Sequence, residues 1–132
     1  MCIRDRFGAA HHTVPNPERL LDTRTGAGVP APGRIATGTV LALQVTGRAG
    51  VIDAAQAVTL NVTVTNASNP GYVTVFPCGQ PVPNASNLNY TGGQTIPNLV
   101  LARIGTGGRV CLLVSASADV IADIAEWNPP VS

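Results

Sequence analysis

In AVTLNVTVTN, residues 57–66, Val58, Leu60, Val62 and Val64 fall at every second position, with Thr59, Asn61, Thr63 and Thr65 between them. A two-residue period sends successive side chains to opposite faces, so the segment predicts a half-buried strand of an antiparallel sheet. Similar runs recur at short intervals: RLLDTR, TVLALQVT, GYVTVFP, SNLNY, NLVLARI, RVCLLVS and DVIADIAEW. Between them lie RAG, NASNPG, CGQPVPNAS, TGGQTIP and GTGG, all of turn composition, and both TGGQT and Thr106-Gly107-Gly108 read as tight hairpin turns. Helical spacing is almost absent; AGVIDAAQ is read as a single helical turn joining two strands. About eight short strands without crossover helices predict an all-β fold, an antiparallel β-sandwich with the jelly roll as its candidate arrangement.

The first six residues, MCIRDR, break this pattern with a Cys and three charges. A codon string that encodes these residues matches the end sequence of a transposon used to prepare sequencing libraries, so residues 1–6 are read as adapter sequence. On that reading the natural start lies upstream, any signal peptide lies with it, residues 1–6 pack poorly against the domain, and Cys2 has no partner. Residues 7–16 follow as an N-terminal extension, 17–128 as a single sandwich domain, and 129–132 as a tail or linker.

Setting the leader aside changes the charge. The chain has eight basic and seven acidic groups; without Arg4, Arg6 and Asp5 it has six of each. A neutral domain without a basic cluster is a poor partner for nucleic acid. All the basic residues are Arg, and Ala, Gly, Pro, Val and Thr dominate, which points to a high-GC bacterial source. No apolar run approaches the roughly 18 residues that a membrane helix needs, so membrane insertion is not expected. Two cysteines remain, Cys78 and Cys111. An even pair in a turn-rich chain suits a disulfide formed in an oxidising compartment; the alternative is two buried thiols acting as small hydrophobes.

Candidate chemistry is sparse. His11 and His12 are adjacent and precede the first strand, in what reads as a solvated loop; no nucleophile elbow or metal-ligand spacing accompanies them. GTGGR and TGGQT neither open a helix nor carry the Lys of a phosphate loop. Asp119 and Asp123 share a strand face about 13 Å apart, outside the separations of a glycosidase pair. The Asn-X-Ser/Thr triplets at Asn61, Asn66, Asn84 and Asn89 are what Thr- and Asn-rich strands generate by chance. No catalytic residue, cofactor or metal is therefore assigned.

PERLLDTRTG, QVTGRAGV, AVTLNVTVTNASNPGYVTVFPCG, ASNLNYTGGQTIPN and ADVIADIAEW, in that order, resemble a β-rich module found, often in tandem, in secreted and surface proteins of actinobacteria and related bacteria. The likeness runs from Pro17 to Trp127; Glu126 stands where the module usually has Gly. It implies an extracellular or cell-surface, non-catalytic module, and brings no agreed binding residues. Arg19, Asp22, Arg24, Asn61, Asn87, Asn89 and Asn98, which lie within these motifs, read as a structural network of polar side chains and turn locks. Two functions compete. One is adhesion or binding of an envelope polysaccharide, with Tyr72, Tyr90 and Trp127 as candidate ligand contacts. The other is a structural subunit of a fibre or filament that joins copies of itself through strand edges.

Overall fold

The computed structural model describes the backbone of residues 2–4 and 10–128, with side chains from Glu18 onward. Among the described residues nine strands run in chain order: β1 (Cys2–Arg4), β2 (Ala10–Asp22), β3 (Thr39–Gln44), β4 (Ala57–Thr65), β5 (Gly71–Pro77), β6 (Leu88–Tyr90), β7 (Ile96–Arg103), β8 (Arg109–Val114) and β9 (Asp119–Asn128). Each of the eight alternating runs seeds one of β2 to β9. Among the described residues the only helical segment is a 3-10 turn at Thr106–Gly108, and no helix is long and apolar enough to cross a membrane.

The strands form two antiparallel sheets, β1-β2-β9-β4-β7 and β3-β8-β5-β6. Apart from β1, which adds to an edge, they make a sandwich of two four-stranded sheets. Its pairing is nested: β2 with β9, β3 with β8, β4 with β7, and β5 with β6. A single long hairpin, closed at β5–β6 and rolled so that its arms divide between two layers, gives this order. It is the jelly roll.

Nesting corrects two of the turn assignments. Thr106–Gly108 and the segment TGGQT each carry the chain from one sheet to the other, so neither is a hairpin turn. Gly108 is required at its corner: its φ is +76°, and a Cβ there would collide with the Thr46 hydroxyl. AGVIDAAQ is likewise not helical. It is a turn segment entered through Ala49 at φ +51° and Gly50 at φ +79°, outside the right-handed helical region.

At the N-terminus, β2 starts at Ala10, inside the segment read as an extension, and pairs with β9 as far as His12 opposite Trp127. His11 and His12 thus lie on a strand and not in a loop; a register shift between Thr13 and Glu18 absorbs Pro15 and Pro17 without ending the ladder. Their side chains lie outside the described residues, as does the whole of Met1 and of residues 5–9. The backbone of Cys2–Arg4 pairs with Ala10–His12, so these residues are not detached from the sheet. The packing of their side chains, and any partner of Cys2 beyond Cys78 and Cys111, fall outside the described residues.

The core fills the space between the sheets. Val58, Leu60, Val62 and Val64 of β4 meet Val110, Leu112 and Val114 of β8 and Leu43 of β3 in one cluster, all at most 1% exposed. Burying such side chains stabilises the fold by about 1.5 to 3 kcal/mol each. On β9, Val120, Ala122 and Ile124 continue the inward face, then a register shift opposite Thr59 and Leu60 changes the parity. Trp127, and not Glu126, consequently packs against the core.

Candidate binding groove

The two outer faces differ. On the five-stranded sheet, Asp22 is almost wholly buried at the end of β2 and receives both Nε and Nη2 of Arg24, at 3.0 and 2.9 Å, together with the Arg24 backbone N–H. Arg19 reaches Asp22 at 3.4 Å and donates through Nε to Asp123 at 2.9 Å. The hydrogen bonds from Arg24 hold the Asp22 carboxyl below the usual carboxylate range, against the opposing effect of burial. The Arg24 and Arg19 guanidinium groups are raised in turn, chiefly by hydrogen bonds to Asp22 and Asp123 respectively. Beside them Thr23, fully buried, donates to Asp119 at 2.7 Å and accepts from the Val120 N–H at 2.9 Å. Asn66 donates to the other oxygen of Asp119 at 2.8 Å. These carboxylates hold strands and turns together, each engaged by its own partners. Among the described residues no three His, Cys, Asp or Glu side chains gather as a metal site.

On the four-stranded sheet the outer face holds a groove of about 430 Å³. Its floor is Tyr72 and Thr74 of β5 with Leu113 of β8, and its wall is the loop from Val82 to Ser86. The wall is built by the connection between β5 and β6, which folds back over the sheet and is held at several points. At its start Cys78 is bridged to Cys111 of β8, and the pair packs with Phe76 against Leu113. Gly105 lies so close to the Cys78 backbone that a Cβ would overlap it, and the Thr106 N–H donates to the Cys78 carbonyl at 2.8 Å. Midway, the buried Thr74 hydroxyl donates to the Ala85 carbonyl at 2.9 Å. At its end the Asn87 side chain accepts from the Val75 N–H at 2.7 Å, while its carbonyl accepts from the Asn98 amide of the other sheet at 2.5 Å. The loop is a fixed wall, which is what a preformed ligand site requires.

The three candidate aromatic contacts do not converge. Tyr72, 42% exposed, lies in the groove. Tyr90 is 3% exposed, and its hydroxyl donates to the Ala116 carbonyl and accepts from the Ala116 N–H. It belongs to the core and cannot meet a ligand, because β6 alternates and Leu88 and Tyr90 share its inward face. Trp127 packs against the core opposite Val58, at the other end of the sandwich from Tyr72.

The motif residues also separate. Arg19, Asp22 and Arg24 form one ion-paired group, and Asn87 and Asn98 join the two sheets. Asn89 accepts from the Ser86 hydroxyl at 3.1 Å, and Asn61 sits in the ladder between Asp123 and Leu99. No family model matches the chain, and no curated protein matches it in sequence.

Thr74, Leu113 and the Val82–Ser86 wall were not among the residues singled out from the sequence. One signal for them exists: no Asp, Glu, Lys or Arg occurs between Asp53 and Arg103, a stretch that contains all of β5, β6 and the groove wall.

Proposed function

We propose that this domain is a non-catalytic, extracellular or cell-surface binding module, of the kind its motifs resemble, and that it attaches to a glycan of the envelope type through the groove on its four-stranded sheet. The observation that carries the reading is Tyr72, an exposed aromatic ring beside a fixed wall that offers the Asn84 amide. A sugar ring presents both an apolar face to stack and hydroxyls to pair, and this lining can serve both. The Cys78–Cys111 bridge supports an oxidising location. The carboxylates with candidate acid–base chemistry are all committed to structural partners, which supports binding over catalysis. Affinity electrophoresis through gels containing cell-wall or plant polysaccharides tests the reading, with Tyr72→Ala as the control. Retardation that the substitution removes is expected; migration unaffected by every polysaccharide sinks it.

A second reading is a structural subunit that associates through strand edges. Leu99 and Leu101 favour it: they are 62% and 68% exposed on β7, the outermost strand of its sheet. Sedimentation at high concentration separates the two, since a subunit of this kind assembles and a pure binding module stays monomeric.

A further inference from the structure

Building on the proposed groove, we infer that its ligand is an uncharged saccharide unit, and that acidic sugars and phosphate-bearing polymers are rejected there. Every side chain that lines the groove is neutral: a phenol, two hydroxyls, an amide and apolar groups. The surroundings are equally so. Among β3, β5, β6, β8 and the connection that walls the groove, Arg109 is the only charged residue; it stands at the start of β8, four residues before Leu113, and donates to Gln44 at 3.2 Å. A carboxylate or phosphate entering the groove would lose part of its water and meet no cation to offset that cost. A hydroxylated neutral ring meets no such cost.

The polar groups left open to a ligand suit the same class. Thr74 is spent on the Ala85 carbonyl, and Ser86 donates to Asn89, which leaves the Asn84 amide on the wall as a donor and acceptor and the Tyr72 hydroxyl on the floor. An amide and a phenol each donate and accept, matching vicinal hydroxyls that do the same. A purely apolar ligand would leave that polar part of the lining unpaired.

The test compares polymers of the two classes on the oxidised domain: dextran and galactomannan as neutral probes, polygalacturonate and a teichoic acid as anionic ones, each at low and high salt. Expected is retardation by a neutral probe, unchanged by salt and reduced at least tenfold by Tyr72→Ala and by Asn84→Asp. Both positions are on the surface, and the midpoint of urea unfolding confirms that each variant is folded. Binding confined to anionic probes and weakening as salt rises overturns this inference while leaving a glycan-binding module in place. Binding to neither class overturns the inference together with the reading on which it rests.

Discussion

The outer face of the five-stranded sheet and that of the four-stranded sheet are built from opposite materials. The first is fastened by charge: Asp22 takes a two-pronged contact from Arg24, Arg19 spans Asp22 and Asp123, and Asp119 is held by Thr23 and Asn66. The second has almost no charge and is fastened by a covalent bond, Cys78–Cys111, and by amide and hydroxyl contacts to backbone. Charged fastening uses up its own functional groups, because each carboxylate is occupied by the donors it secures. Covalent fastening leaves the surrounding side chains open, and that is where the molecule has a groove. The reactive-looking residues of this chain are thus its fasteners, while its open surface is made of residues that look inert.

Four measurements test that contrast. The largest concerns the bridge. Replacing Cys78 and Cys111 by Ala frees a segment closed by a 33-residue separation and lowers unfolding free energy by about 3 to 4 kcal/mol. Glycan retardation should fall with it in folded protein, and a variant that binds as well as the parent would detach the groove from its covalent anchor.

Next is Thr23→Val, which keeps the shape but removes a donor to Asp119 and an acceptor for the Val120 N–H, both buried. A loss of about 2 to 3 kcal/mol is expected from the shift in urea midpoint at constant m, with binding unchanged. Third is acid. Asp22 has a folded pKa below that of the unfolded chain, so its contribution is complete above the unfolded value of about 3.9 and is lost as pH falls through the folded one. Stability measured from pH 6 downward should therefore decline below about pH 4, and Asp22→Asn should flatten that decline. Smallest is Tyr72→Ala, which should shift stability by less than about 0.5 kcal/mol, as exposed substitutions do, while removing glycan retardation. A large loss of stability would make Tyr72 a fastener and erase the distinction.

Much of the fold was legible in the residues because strands announce themselves locally. The alternation in AVTLNVTVTN and RVCLLVS follows from the pleat, and it survives wherever one face is buried. The partners of those strands were not legible. Nothing in GTGG distinguishes a turn between paired strands from a corner between sheets, since both need positive φ at glycine. Helical spacing in AGVIDAAQ lost to Ala49 and Gly50, whose backbone geometry ends any helix before it starts.

In the groove, Tyr72 could be picked out as an aromatic on a short strand, but Tyr90 and Trp127 looked equal to it. Burial separated them, and burial depends on which face the neighbouring sheet covers; for Trp127 it also depends on a bulge that no pattern marks. The wall from Val82 to Ser86 became part of a site only through the bridge that folds it back, a pairing of residues far apart in the chain.

The nested pairing carries a consequence in time. β2, near the beginning of the chain, is hydrogen-bonded along its length to β9, at the end. The five-stranded sheet cannot close until β9 is present, because β9 alone joins β2 to β4. Sequence-distant pairing of this kind slows folding, into the millisecond-to-second range for β-sandwiches. During synthesis β2 and β4 are therefore joined into one sheet only when β9, the last of the described strands, has emerged.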